Sequence, residues 1–125
     1  MSGARQLAPA AAGSARHSGA AGELQALAWL QAQGLQLVER NFRCKAGEID
    51  LIMRDDATLV FIEVRQRASR AFGGAAASIG SAKQRRLLAS AQIYLQRFRP
   101  PPPCRIDVFA IDGVRTEWLR NAVVA

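Results

Sequence analysis

The chain contains 125 residues, half of them hydrophobic, with a formal net charge of +7 and a pI of about 11.0. This length is enough for one domain with a hydrophobic core, and no apolar run is long enough to cross a membrane. Such a basic balance favours an acidic partner, which is nucleic acid first and an anionic membrane surface second. One histidine and two cysteines are too few for a zinc site, so we expect reduced thiols in a cytoplasmic protein that is not bound to a membrane.

The ends of the chain differ in composition from its middle. Residues 1–17 are mostly Ala, Gly and Ser, with Arg but no acid, and they bury too little apolar surface to offset the entropy of ordering them. We therefore predict a disordered tail there, although an organelle transit peptide has a similar composition. A single domain is expected over residues 18–120, followed by a short tail at 121–125.

A helix is predicted from about Ala20 to Gln33, with Ser18 as its N-cap and Gly34 after its last turn. Its predicted inner stripe consists of Leu24, Leu27 and Leu30. Glu23 lies beside that stripe near the helix N-terminus, where the helix dipole favours a negative charge. Periodicity alone therefore explains this acid without a functional role. A strand over residues 35–43 then leads into the next segment.

The most informative segment is a predicted β-hairpin that pairs Gly47–Ile52 with Leu59–Arg65. β-Branched and aromatic residues are frequent in both strands, and residues 54–58 supply the turn. Side chains alternate along a strand, so Asp50 lies on one face of the first strand and Glu63 on one face of the second. If the register brings these faces together, the two acids converge.

Converging acids repel each other unless a cation lies between them. A hard divalent ion such as Mg²⁺ suits the pair, because it binds one or two protein carboxylates together with water and phosphate. An ordinary hairpin with one solvated face also alternates charged and apolar residues, and the pattern alone favours that alternative. Against it, the opposite face is predicted to be apolar and the acidic face is itself partly apolar. The predicted apolar face consists of Ile49, Leu51, Val60, Ile62 and Val64.

The string GEIDLI at residues 47–52, followed by FIEVR at residues 61–65, resembles the metal-binding core of the PD-(D/E)xK nucleases. Within that superfamily the sequence is similar to the small bacterial YraN family, which is itself similar to archaeal Holliday-junction resolvases. The likeness extends over residues 19–113, approximately. It implies a restriction-endonuclease-like α/β fold, in which helices flank a central mixed sheet of about four or five strands.

The resemblance also implies roles for individual residues. Asp50 and Glu63 match the acids that hold Mg²⁺ or Mn²⁺, and Glu23 matches an acid of the first helix that reaches the same site. Arg65 occupies the position where the superfamily usually has lysine. Arginine stays protonated and binds phosphate in bidentate fashion, so Arg65 can stabilise a transition state but is a poor general base.

The second half of the chain is strongly basic. Between residues 64 and 106 the sequence has nine Lys or Arg residues and no acid. A helix is predicted there from about Ala82 to Phe98, capped by Ser81, with Gln84 continuing its apolar stripe. The resemblance places Gln84 near the active centre, whereas a glutamine bonded to the backbone is the alternative. For the basic residues the alternative is a solvated surface. The candidates for nucleic-acid binding are Arg43, Lys45, Arg67, Arg70, Lys83, Arg85 and Arg86.

The chain is expected to end in further β-structure. After a proline run at residues 100–103, a strand is predicted over Cys104–Ile111, followed by a turn and a short edge strand over Thr116–Leu119. Asp107 either supports the acidic site or is a surface acid, and both interpretations stay open from the sequence.

Together these observations predict metal-dependent hydrolysis of phosphodiester bonds, with Asp50, Glu63, Arg65 and Gln84 as catalytic residues. DNA is expected as the substrate ahead of RNA, with branched or junction DNA as one form of it. The alternative is a nucleic-acid-binding module that keeps the nuclease fold without its chemistry, because Arg65 replaces the usual lysine. A homodimer would match the two-fold symmetry of a junction, and the sequence leaves that oligomeric state open.

Overall fold

The computed structural model describes residues 15–67 and 79–124. Two helices and five strands follow one another: α1 (Ala15–Ala32), β1 (Gln36–Cys44), β2 (Gly47–Asp55), β3 (Thr58–Arg67), α2 (Ser81–Leu95), β4 (Cys104–Asp112) and β5 (Arg115–Val123). Residues 1–14, most of the predicted tail, lie outside the described residues. In the part that is described, no helix is both long and apolar enough to cross a membrane.

The strands form one sheet in the order β1-β2-β3-β4-β5. β2 and β3 form the predicted antiparallel hairpin, which turns at Asp56 with a left-handed backbone (φ 54°). β3 and β4 are parallel, and a parallel pair requires a crossover, which the segment carrying α2 provides. The predicted restriction-endonuclease-like α/β fold, with a mixed sheet, one helix before the hairpin and one after it, is confirmed.

One helix covers each face of the sheet, which gives two hydrophobic cores. The α1-side core contains Ala26, Leu30, Leu51, Met53, Val60, Ile62 and Phe109. The α2-side core contains Phe42, Ile49, Ile52, Phe61, Leu87 and Tyr94. The central strands β2 and β3 contribute to both cores and are buried on both sides. A charged side chain on these strands is costly unless it is paired or hydrogen-bonded.

The inner face of α1 differs from the prediction. Leu24 is 53% exposed, and the buried positions are Gly22, Ala26 and Leu30, spaced four residues apart. Gly22 faces the sheet, since a Cβ there would be 3.7 Å from Cδ1 of Ile111 and 2.6 Å from the end of the exposed Gln66 side chain. The predicted stripe is therefore wrong at Leu24 only, since Leu30 is buried in the α1-side core and Leu27 packs against it.

The ends of both helices also differ from the prediction. α1 begins before Ser18, which therefore lies inside the helix, and alanine around it favours helix. α2 begins at Ser81 after Gly80, whose extended backbone (φ −80°, ψ 175°) forms the N-cap without a side-chain hydrogen bond. It ends at Leu95, three residues before the predicted end at Phe98, and single hydrogen-bonded turns lead on towards the prolines.

The alternation of side chains along β2 is interrupted next to Asp50. Ile49 belongs to the α2-side core and Leu51 to the α1-side core, so the prediction of a common face is wrong for Ile49. The interruption lies opposite Asn41 of β1, which has a left-handed backbone (φ 55°) and makes no pair in the β1–β2 ladder. Asparagine adopts this conformation more readily than most residues. The other predicted members, Leu51, Val60, Ile62 and Val64, do contribute to the α1-side core.

Asp107 is fully buried in β4 and holds the outer strand β5. Its carboxylate accepts hydrogen bonds from Arg105 Nε at 3.0 Å, from Trp118 Nε1 at 2.9 Å and from the backbone N–H of Asn121 at 2.8 Å. Trp118 in turn packs edge-on against Trp29 of α1, with ring centroids 5.9 Å apart. The prediction that Asp107 is a surface acid is therefore wrong. Its hydrogen bonds with Trp118 and Asn121 connect β4 to β5.

Asp107→Asn is expected to lower the free energy of unfolding by on the order of 3 kcal/mol. The amide group replaces one acceptor oxygen, so its N–H atoms face the donors of Arg105 or Trp118. Chemical denaturation followed by circular dichroism measures this loss. Glu117→Gln, at an exposed position of β5, makes the same acid-to-amide change and should cost less than about 0.5 kcal/mol. Equal stability of the two variants would contradict the role given to Asp107.

Candidate active site

The two acids of the hairpin meet where the β2–β3 ladder ends. Its last backbone pair is Leu51 with Ile62, and continuing this register places Asp50 opposite Glu63. Here the Asp50 side chain replaces a backbone acceptor, since its Oδ2 accepts a hydrogen bond from the N–H of Val64 at 2.8 Å. The register expected from the sequence is therefore present, and Val64 fixes the orientation of the Asp50 carboxylate.

Both carboxylates lie in the protein interior, where Asp50 is 8% and Glu63 3% exposed. Within the described part of the chain, Oε1 of Glu63 is buried and has no hydrogen-bond partner. A carboxylate oxygen in this state is destabilising, because it loses its water without a replacement. The alternative of an ordinary solvated hairpin face is wrong for these two acids.

A third acid reaches this place from α1. Glu23 follows the buried Gly22, and its carboxyl group is hydrogen-bonded to Asp50. The pKa of Glu23 is raised to about 7, first by burial and then by the negative charge of Asp50 and that hydrogen bond. Two carboxyl groups can be hydrogen-bonded to each other only if one keeps its proton, and here Glu23 is the donor.

Burial and mutual repulsion also raise the pKa values of the hairpin acids. The pKa of Glu63 rises to about 7, first because of burial and second because of the charge of Asp50. Burial likewise raises the pKa of Asp50, while the hydrogen bond from Val64 and the charge of Lys83 act in the opposite direction. The centre therefore holds protons near neutral pH, and a bound divalent cation would displace them.

Two cations face Glu63. Lys83 Nζ lies 3.4 Å and Arg65 Nη1 lies 3.6 Å from the same oxygen, Oε2. Arg65 is two residues along β3 and shares the face of Glu63, as alternation predicts. From the sequence, Lys83 is predicted only as a nucleic-acid-binding residue, so its contact with Glu63 is missed. The signal that would have found it is spacing, because Lys83 precedes the buried Leu87 by four residues and shares the inner face of α2.

The Gln84 side chain is held by the backbone at the start of α2. Its Nε2 donates a hydrogen bond to the carbonyl oxygen of Ile79 at 3.2 Å. This is the backbone-bonded alternative that the sequence left open beside a catalytic role. Lys83, the preceding residue, is the α2 side chain that contacts Glu63.

The remaining basic candidates differ in their surroundings. Arg43 pairs with Glu48 across the β1–β2 turn, with Nε 3.3 Å from Oε1. Lys45 is exposed in that turn, and Arg85 and Arg86 are exposed on α2. The side chain of Arg67 and the whole of Arg70 lie outside the described residues.

The acids suit a hard cation without forming a complete cage. Across residues 15–67 and 79–124, no three His, Cys, Asp or Glu side chains are positioned to hold a metal ion together, so Glu23 contacts Asp50 without completing a three-ligand set. Mg²⁺ does not require one, since one or two carboxylates with water and a phosphate satisfy it. The Asp50 carboxylate and Oε1 of Glu63, which has no hydrogen-bond partner among the described residues, are hard oxygen donors. These residues therefore fit the predicted Mg²⁺ or Mn²⁺.

The sequence from residue 22 to residue 111 matches a family model described as uncharacterised protein family UPF0102. The chain belongs to this family. The matched range includes Glu23, Asp50, Glu63 and Lys83, so all four side chains of the acidic centre lie within it. The YraN family that the hairpin motif indicated is thereby confirmed as the family.

Several UPF0102 proteins are similar to this chain over most of their length. The protein of Janthinobacterium sp. (strain Marseille) is 65% identical over 108 residues, which cover 86% of this chain and 88% of the relative. The protein of Cupriavidus metallidurans is 62% identical over 112 residues, covering 89% and 84%. The protein of Herminiimonas arsenicoxydans is 59% identical over 105 residues, covering 84% and 85%. The names of these relatives state the family and no reaction.

Glu63 is expected to make the protein less stable as the pH rises. The folded state keeps a proton on Glu63 up to about pH 7, whereas the unfolded chain releases it near the ordinary pKa of 4.5. The folded state thus binds more protons between these values, so the free energy of unfolding falls as the pH rises through this window. At pH 8, without divalent metal, Glu63→Gln should be more stable than the wild type by on the order of 2 kcal/mol.

Denaturation curves between pH 4 and pH 8 measure this difference, which should vanish near pH 4. Glu117→Gln, which removes an exposed acid, should follow the wild-type profile. A constant gap between Glu63→Gln and the wild type at all pH values would contradict a proton on Glu63.

Proposed function

We propose that the protein is a metal-dependent nuclease of the PD-(D/E)xK superfamily that hydrolyses phosphodiester bonds in DNA, branched or junction DNA included. The observation that carries the proposal is the pair of buried carboxylates, Asp50 and Glu63, which converge at mid-sheet beside Lys83. Structural stability does not explain such a pair, since hydrophobic residues in its place would cost less. A site that receives a cation and a phosphate does explain it.

In this proposal Asp50 and Glu63 hold Mg²⁺ or Mn²⁺, with the backbone carbonyl of Val64 beside them and Glu23 behind Asp50. The bound ion supplies a coordinated water of lowered pKa and offsets negative charge on the phosphate. The hydrogen bond from the Val64 N–H keeps the Asp50 carboxylate aimed at one position. Burial of both acids excludes bulk water, which strengthens every charge interaction within the site.

Lys83 provides the ammonium group that the motif usually carries at position 65. Its Nζ lies at the same Glu63 oxygen as the Arg65 guanidinium, but it comes from α2 instead of β3. A lysine is a compact point charge that can stand beside an attacking water, while arginine is larger and stays protonated. We therefore assign the charge beside the nucleophile to Lys83, and phosphate stabilisation to Arg65.

The charge distribution supports nucleic acid as the substrate. Nine basic residues and no acid lie between residues 64 and 106, directly after the acidic hairpin. Neighbouring phosphates of a polyanion need such cations, because their binding releases counterions. DNA is favoured ahead of RNA through the likeness to junction resolvases, and that likeness is also the reason for including branched substrates.

A second candidate function is a binding module without chemistry. The observation that favours it is the double pairing of Glu63, since Lys83 and Arg65 both offset its charge without a metal ion. In that case the basic surface would bind the nucleic acid, which would dissociate without being cleaved.

Asp50→Asn separates the two functions. We expect the wild type to cut branched or single-stranded DNA with Mg²⁺ or Mn²⁺, and Asp50→Asn to lose roughly 100-fold or more of this activity, because one metal-binding oxygen becomes an amide. Gel electrophoresis of labelled DNA measures the cut product. Asp56→Asn changes the same residue type at the exposed hairpin turn, where asparagine tolerates the left-handed backbone, and should keep full activity. Salt-sensitive binding without any cleavage by the wild type would instead support the module.

The division of work between Lys83 and Arg65 is also testable. Lys83→Gln should lower kcat by on the order of 100-fold, with metal affinity within a few-fold of the wild type, since the metal-binding acids are intact. Arg65→Lys should keep most of the activity. Steady-state kinetics give kcat and KM, and calorimetric titration with Mn²⁺ gives the metal affinity. If Arg65→Gln loses much of its kcat while Lys83→Gln stays active, the roles given to Lys83 and Arg65 would have to be exchanged.

A further inference from the structure

A cavity of about 370 Å³ lies next to the acidic centre, between the β1–β2 turn and the start of α2. Arg43, Cys44, Gly47 and Glu48 line one wall, and Lys83 and Arg86 line the other. A water molecule takes up roughly 30 Å³ of liquid volume, so this space is large enough for a phosphate group with part of its sugar. The cavity is a separate feature from the pair of hairpin acids, which do not line it.

The two walls of this cavity come close together at Gly47. Gly47 has a left-handed φ of 147°, and a Cβ at this position would lie 3.6 Å from the Cβ of Arg86. On α2, Lys83 and Arg86 are three residues apart and share one helix face with the buried Leu87. Arg85, between them, is not among the residues that line the cavity. Lys83 and Arg86 therefore both line the cavity from the same side, on α2.

The charges of the lining favour an anion. Three cations face one carboxylate, and that carboxylate, Glu48, is paired with Arg43 at the rim. Lys83 and Arg86 lie at the N-terminal part of α2, where cations oppose the helix dipole, and the first turn of α2 contains no acid. Helix stability does not account for these basic residues. Lys83 is already paired with Glu63, and a phosphate in the cavity would contact Arg86 as well.

Lys83 joins the cavity to the acidic centre, because it lines the one and lies 3.4 Å from Glu63 in the other. We infer that the cavity is a subsite for a backbone phosphate of the nucleic-acid strand, next to the phosphate that lies at Asp50 and Glu63. This inference rests on the proposed nuclease function for the identity of the neighbouring phosphate. The subsite itself selects a strand that can bend one phosphate into a recess, which a single strand or a branch point does more readily than a straight duplex.

The first test measures binding without cutting. In an Asp50→Asn background, Arg86→Gln should weaken binding of a single-stranded DNA oligonucleotide about 10-fold and reduce the slope of log affinity against log salt by about 1. Arg85→Gln removes the same charge from the neighbouring position and should weaken binding by no more than about 3-fold. Arg86→Lys keeps the charge and should recover most of the affinity. Equal effects of Arg85→Gln and Arg86→Gln would overturn the subsite.

The second test uses Cys44 as a reporter within the cavity. The pKa of this thiol is lowered, first by the neighbouring Ser90 hydroxyl, which favours the reactive thiolate. In an Asp50→Asn, Cys104→Ser protein, saturating oligonucleotide should slow alkylation of Cys44 by iodoacetamide at least 5-fold, and Arg86→Gln should remove this protection. An unchanged alkylation rate would overturn the inference, as would equal protection by inorganic phosphate at the same concentration.

The outcomes separate the subsite from the proposed function. Protection of Cys44 together with an Arg86-specific loss of binding, in a wild type that does not cleave, would keep the phosphate subsite and remove the nuclease. Cleavage by the wild type with no difference between Arg85→Gln and Arg86→Gln would keep the nuclease and remove the subsite.

Discussion

Repulsion between two buried carboxylates is the constraint on which the rest of this structure depends. Asp50 and Glu63 lie on central strands that are covered on both sides, so each loses most of its hydration on folding. The surroundings offset part of that cost. A backbone N–H binds Asp50, two cations face Glu63, and Glu23 keeps a proton. Every one of these groups is nevertheless compensation for a charge that stability alone does not require.

Irregularities in the sheet are what allow the acids to be buried together. In a regular ladder Asp50 would pair through its backbone and its neighbours would alternate, but here neither Asp50 nor the left-handed Asn41 is paired between β1 and β2, and Ile49 and Leu51 lie on opposite faces. The Asp50 side chain accepts a hydrogen bond from the Val64 N–H, and the pairing of β2 with β3 ends at Leu51 and Ile62. The nearby Gly47 has a positive φ and lies close to Arg86 and Ser90 of α2. The site therefore lies where the sheet stops being regular.

Local sequence patterns are sufficient to predict the hairpin, and the resemblance of its motif to the PD-(D/E)xK nucleases implied the class of fold. The turn residues and the alternation around Asp50 and Glu63 are encoded within about twenty residues, and their register was predictable for that reason. Contacts between distant segments were not predictable in the same way. Leu24 is exposed while Gly22, Ala26 and Leu30 are buried, and Ile49 lies on the face opposite to the predicted one.

Lys83 illustrates the same limit at the site itself. Its place in a basic run indicated nucleic acid, whereas its contact with Glu63 depends on how α2 packs on the sheet. The four-residue spacing from Leu87 indicated that Lys83 lies on the inner face of α2. Its positive charge instead favoured the prediction of an exposed nucleic-acid-binding residue. Gln84, which continues the same stripe, is held by the Ile79 carbonyl. A basic residue that helical spacing places on the inner face of a helix therefore indicates a buried acidic partner.

The parallel pairing of β3 with β4 has a consequence for when the site comes into being. The hairpin is local in sequence and can form early, but Glu23 and Lys83 arrive only when both helices have docked, and α2 lies in the long crossover that the parallel pair demands. A chain still emerging from the ribosome, or one that has partly unfolded, therefore carries the acids without their partners. The complete centre, with Glu23 and Lys83 beside the two hairpin acids, therefore exists only in the fully assembled molecule.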